Sequence, residues 1–253
     1  MEHAQVVAGE VPCSVLPIKV QKLPRHLEKS IYPQRTLREV PEAMNMDAMQ
    51  WMQKGLKLAE GGQWEEALKA LDKALEFEPN LTAAWINRGT ILAMRDQPEA
   101  AITCYDKALE QNPNDAIVWY NKAIALKRLE RHDEAITAYE RALEQDPTDV
   151  EVWNNLGAIL TQLERYADAI TAYDGALQYH PFHAGALNNK GDALAKLERH
   201  EEALTCFEQA LKQTPENPVI WENMLAALQQ LGRNKEANAC KKKLEKLKKK
   251  ARR

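Results

Sequence analysis

The sequence predicts an all-α chain, built as a solenoid of stacked antiparallel helix pairs. Three observations carry that reading. Of the 253 residues, 45% are apolar and 28% charged, and Gly and Pro are sparse, which is the balance of packed helices. Pro79, Pro113, Pro147, Pro181 and Pro215 stand 34 residues apart. In the same phase run Ala67, Ala101, Ala135, Ala169, Ala203 and Ala237, and also Trp51, Trp85, Trp119, Trp153 and Trp221, with Leu187 standing in once. A period of this length marks one supersecondary unit repeated along the chain.

Taken in chain order, residues 1–40 do not repeat. They hold Pro12, Pro17, Pro24 and Pro33, too closely spaced for a long helix, so an extended or disordered leader is expected. Its apolar run Val15-Leu16-Pro17-Ile18-Lys19-Val20 suits docking on the solenoid or a partner as well as it suits a mobile leader. From Pro41 the pattern turns helical. Met44, Met46, Met49 and Met52 lead into the first unit, either covering the end of the stack or offering a partner an adaptable thioether surface.

The solenoid is assigned to residues 41–247, with units at 48–81, 82–115, 116–149, 150–183 and 184–217 and a partial sixth at 218–247. In the second unit Trp85, Arg88, Gly89 and Leu92 fall at i, i+3, i+4 and i+7, one face of a first helix. Pro98 opens the second helix, where its missing N–H costs nothing, and Ala101, Tyr105 and Ala108 continue it. Gly89 and Ala101 are expected to let two backbones approach, with Tyr105 and Trp85 filling the surrounding space. Pro113 ends the pair by disfavouring helical geometry at Asn112, and Asp115 can cap the next helix. Asn217 and Pro218 repeat that start in the sixth unit.

Cys104, Cys206 and Cys240 occupy the place held elsewhere by Ala70, Ala138 and Ala172, which reads as a slot for small residues. Ala237, Cys240, Leu244 and Leu247 continue one apolar stripe towards a basic tail at 248–253. Lys241 stands where Tyr105, Tyr139, Tyr173 and Phe207 stand in other units, as expected of a solvated covering helix.

These residues resemble the tetratricopeptide-repeat family, whose unit is a 34-residue helix-turn-helix with this order of Trp, Gly, Leu, Ala, aromatic, Ala and Pro. The resemblance covers 48–217 as five units and about 218–247 as a degenerate sixth. It implies a right-handed superhelix with first helices on the inner face and second helices outside. It also implies a function in binding other proteins.

Specificity in such a groove is expected on the first helices. Asn87, Asn121, Asn155, Asn189 and Asn223 each lie two residues after the Trp or its Leu substitute. A carboxamide both donates and accepts, so five in register could pair with the backbone of an extended peptide, or with one another inside the solenoid. Asparagine ladders in the repeat domains of O-linked N-acetylglucosamine transferase and kinesin light chain contact peptide backbone in this way. Ile86, Ile117, Tyr120 and Ile124 suggest an apolar pocket around units two and three or burial within the stack, with Lys127 and Arg128 adding positive charge beside it. Glu151, Asp192 and Glu222 make later units more acidic. The Lys and Asn pair of the family's carboxylate clamp is missing, with Met52 and Leu56, then Ile86 and Thr90, at its places.

Other function classes fit poorly. No phosphate-binding Gly loop, catalytic set or metal-ligand spacing is present, and His180 and His183 merely bracket Pro181, so neither enzyme activity, cofactor, metal nor small-molecule substrate is expected. No signal peptide or membrane helix is legible, and a cytoplasmic location is expected. Residues 48–234 carry 18 basic and 29 acidic residues, whereas 235–253 carry ten basic and two acidic. The leading expectation is a scaffold or adaptor that holds an extended peptide segment through the Asn ladder. The alternative uses the basic tail to tether the solenoid to nucleic acid or an anionic membrane. The sequence does not specify an oligomeric state.

Overall fold

The computed structural model describes residues 46–251; the leader, the Pro41–Asn45 approach with Met44, and Arg252 and Arg253 lie outside them. Twelve helices and no strand are found among the described residues. The first helices of the six units are α1 (Met46–Glu60), α3 (Thr82–Met94), α5 (Ala116–Arg128), α7 (Val150–Gln162), α9 (Ala184–Lys196) and α11 (Pro218–Gln230). The second helices are α2 (Trp64–Phe77), α4 (Pro98–Gln111), α6 (His132–Gln145), α8 (Tyr166–Tyr179), α10 (His200–Gln213) and α12 (Asn234–Ala251). Each first helix packs on its own second helix, and each second helix on the next first helix.

The chain stops and restarts helices by repeated local chemistry. Asp115 accepts from the N–H groups of Ile117 and Val118, Asp149 from Glu151 and Val152, and Asn217 from Val219, each satisfying orphan donors of a first turn. His183 does the same with Nδ1 towards Ala186. Pro98 and Pro218 take first-turn positions, as expected. Between the helices of a unit the chain turns through one left-handed residue: Gly62, Asp96, Glu130, Glu164, Glu198 and Gly232. All six fall at the same place in the repeat, because one left-handed residue redirects the chain at a helix end.

Packing follows the period. Tyr105, Tyr139, Tyr173 and Phe207 are fully buried, and the rings of Tyr105, Tyr173 and Phe207 lie against Gly89, Gly157 and Gly191 of their first helices. A Cβ on Gly89 would come within 2.7 Å of the Tyr105 ring, and one on Gly191 within 2.5 Å of Phe207. These glycines therefore make room for a ring more than for a backbone, which refines the expectation at Gly89. Cys104, Cys206 and Cys240 are buried in their slot, and burial raises their thiol pKa values, with Cys104 Sγ accepting from Arg88 Nη1 and Cys240 Sγ donating to the Trp221 carbonyl.

Successive units are also clasped. The indole Nε1 of Trp85 donates to the carbonyl of Pro79 at 2.8 Å, Trp119 to Pro113 at 2.7 Å, Trp153 to Pro147 at 2.8 Å and Trp221 to Pro215 at 2.9 Å. The Trp and Pro series thus serve one hydrogen bond across four of the five unit boundaries. Where Leu187 replaces Trp, Pro181 has no indole to receive, and the buried apolar residues divide into separate clusters beside that boundary.

Candidate peptide-binding groove

Curvature of the stack identifies the inner wall. First helices approach the next first helices at α1–α3, α3–α5, α7–α9 and α9–α11, whereas second helices stay farther apart from one another. The first helices therefore take the inner side, as the resemblance implies, and they carry all five predicted asparagines.

The asparagines are not equally presented. Asn87 is 6% exposed and Asn121 2%, whereas Asn155, Asn189 and Asn223 are half-buried. Burial thus sets Asn87 and Asn121 apart from the later three. The later three are tied across unit boundaries. Asn155 Nδ2 donates to Tyr120 Oη at 3.1 Å and to the Glu151 carbonyl, Asn189 Nδ2 to Asn154 Oδ1 at 3.1 Å, and Asn223 Nδ2 to Asn188 Oδ1 at 3.0 Å. Asn188 Nδ2 also donates to Asn189 Oδ1. Among the described residues, nothing donates to Oδ1 of Asn155 or Asn223.

One residue ahead of each asparagine sits the acceptor for the asparagine of the next unit. Tyr120, Asn154 and Asn188 supply it, but Ile86 cannot. Asn121 consequently keeps a buried Nδ2 with no hydrogen-bond partner. Sequence reading saw the ladder and missed this rule, although the doubled amides Asn154-Asn155 and Asn188-Asn189 were its signal. The basic residues directly after the ladder asparagines also act between units, with Arg88 on Asp72 at 2.7 Å, Lys122 on Asp106 at 2.6 Å, and Lys190 on Asp174.

The remaining predicted residues divide. Ile86, Ile124 and Tyr120 are buried in the stack, while Ile117 stays half-buried at the surface. Lys127 is half-buried, and burial lowers its ammonium pKa. Arg128 does not add free charge to the groove as expected. Its Nη1 donates to the Ala93 carbonyl at 2.9 Å and Nη2 to Asp96 at 2.6 Å, so it caps the C-terminal end of α3. Of the acidic residues, Glu222 meets Lys248 at 2.8 Å, and Lys250 meets Glu216 at 2.7 Å. The basic tail thus continues α12 without a break at 247 and has two charges matched, one on unit six and one at the end of unit five. Glu151 lies 3.4 Å from His183 Nε2, a hydrogen bond that lowers the carboxyl pKa.

A cavity of about 230 Å³ opens between units three and four. Ala116, Ile117, Tyr120 and Asn121 of α5, Ala142 and Asp146 at the end of α6, and Asp149 and Val152 at the start of α7 line it. Here α5 and α7 approach less closely than the first helices do at other boundaries. Bulky Tyr120, tilted against Tyr139 at 6.1 Å between ring centroids, occupies the place that Asn154 and Asn188 fill later.

Comparison with known proteins places this geometry. Residues 25–251 match the family described as the cilia and flagella-associated protein 70 C-terminal domain. No curated protein sequence matches. Among solved structures, YrrB, described as a TPR protein with an unusual peptide-binding site, is similar at 24% identity, covering 70% of this chain and 91% of its own, with a TM-score of 0.63. MamA of Desulfovibrio magneticus RS-1 is similar at 22% identity over 69% of this chain and 99% of its own, with a TM-score of 0.64. A tetratricopeptide repeat protein from Parabacteroides merdae is similar at 20% identity over 80% of each chain, with a TM-score of 0.69.

Proposed function

The chain belongs to the tetratricopeptide-repeat family described as the cilia and flagella-associated protein 70 C-terminal domain, and on that premise we propose that it is a protein-interaction scaffold or adaptor holding an extended peptide segment along its inner wall. One observation carries the reading: Asn155 and Asn223 have Nδ2 pinned to a neighbouring unit while Oδ1 is left as an acceptor on the inner helices. An acceptor already fixed in place loses little entropy when a peptide N–H meets it. Asn189, held between Asn154 and Asn188, keeps the wall in register between them. That YrrB shares the fold and is described by its peptide-binding site supports the same function class.

Each such bond is worth roughly 0.5–1.5 kcal/mol, so one rung changes affinity about tenfold at most. Backbone pairing of this kind tolerates many sequences, and side-chain preference must come from elsewhere on the wall. The test is selection of unstructured peptides from a display library on the full chain. Enriched peptides are expected to bind the Asn155→Ala, Asn223→Ala double variant up to about a hundredfold more weakly at a temperature where its helicity is intact, its melting being lowered only by the two lost bonds between units. Failure to enrich any peptide, or equal affinity for the variant, would remove the proposal.

A further inference from the structure

We propose that the cavity between units three and four is a specificity pocket for one arginine or lysine side chain of the bound segment, with Asn121 holding that residue's main-chain carbonyl. This rests on the groove reading and deepens it. Two independent features meet in the pocket. The first is the orphan amide: Asn121 is 2% exposed, lines the cavity, and has an Nδ2 with no partner, because the preceding unit offers Ile86 where Tyr120, Asn154 and Asn188 serve later rungs. A buried donor left unmade is costly, and a turn of the carboxamide towards a carbonyl oxygen in the cavity would satisfy it.

The second feature is charge and shape. Asp146 and Asp149 line the cavity and no basic side chain does, so its potential is negative. Both carboxylates are already oriented from the loop: Asp146 Oδ1 accepts from the backbone N–H and hydroxyl of Thr148 at 3.0 and 2.7 Å, and Asp149 caps α7. Ionised carboxylates accept further hydrogen bonds, and those from a cation are the strongest. Ile117, Val152, Ala116 and Ala142 offer apolar wall for an aliphatic stem, and the Tyr120 ring adds a surface that cations favour. At about 230 Å³ the space is below the roughly 300–1,000 Å³ of small-molecule sites and matches a single long side chain.

The experiment uses the full chain and unstructured host peptides identical except for one central residue, Arg, citrulline or Glu, read by fluorescence anisotropy and by the side-chain amide signal of Asn121. The Arg peptide is expected to bind about tenfold tighter than the citrulline peptide, with the Glu peptide weaker still and the Arg advantage shrinking as salt rises. Asp146→Asn is expected to bring the Arg-to-citrulline ratio close to one. Asn121→Leu is expected to weaken all three peptides while melting holds or rises, since the orphan donor is gone; lower melting with unchanged binding would make Asn121 a packing residue and overturn the assignment. If all peptides bind alike and binding is still lost in the Asn155→Ala, Asn223→Ala variant, the pocket is refuted while the groove reading survives. Self-association abolished by Asp146→Asn would instead give the pocket to a second copy of the chain and also overturn the proposal.

Discussion

Asn121 and Asn189 hold the same place in their units and have opposite standing: one Nδ2 has no partner, the other joins two units. Replacing Asn189 by Leu removes its bond to Asn154 and strands that oxygen, so a loss of about 1 kcal/mol in urea unfolding is expected, in contrast to Asn121→Leu. Tyr173 offers a residue-level test by pH. Burial pushes its phenol up to about 12, while a hydrogen-bonding contact with Thr161 Oγ1 at 3.1 Å opposes the rise. The unfolded chain releases this proton near the ordinary value of about 10, so the contribution is complete below that pH and is lost as pH rises through about 12. Urea midpoints measured across that window should fall less steeply in Tyr173→Phe than in the parent chain.

Turns and clasps set the behaviour of the elements. Glu130, Glu164 and Glu198 adopt the left-handed conformation that Gly62 and Gly232 adopt without strain. Glu164→Gly should therefore raise stability by about 0.5–1 kcal/mol, relief of strain outweighing the entropy of a freer unfolded chain. Asp96→Gly should not gain in the same way, because the Asp96 carboxylate holds Arg128. Trp119→Phe keeps a large ring but loses the bond to Pro113, and a drop of about 1 kcal/mol is expected by calorimetry. Much of this level was legible in the sequence. Asp115, Asn217, Pro98 and Pro113 act within a few residues of themselves, so their spacing sufficed to place helix ends. The link between Trp119 and Pro113 escaped because two series in the same phase do not say that their members touch.

At the scale of the molecule, the period made the stack and its inner wall readable, whereas the state of each groove residue was not. Whether Asn155 or Asn121 finds an acceptor depends on a residue 35 positions earlier, and whether Arg128 is free depends on Asp96 in the preceding turn. Such dependence belongs to stacking and is invisible to composition. Stacked units each touch only their neighbours, so stability is a chain of local terms in which one weak boundary counts.

Leu187 marks the boundary between units four and five, which lacks the indole clasp. The loop beside it exposes Tyr179 and Phe182, at 42% and 63%. Without an indole latching it down, that exposed segment is the place where a protease can enter the rod. Chymotrypsin should nick after Phe182 before any other site among the described residues, parting the chain into two shorter rods, and Leu187→Trp should delay that cut. Whatever cargo spans units four and five would then act as a splint, so peptide-bound protein should resist the protease longer than free protein.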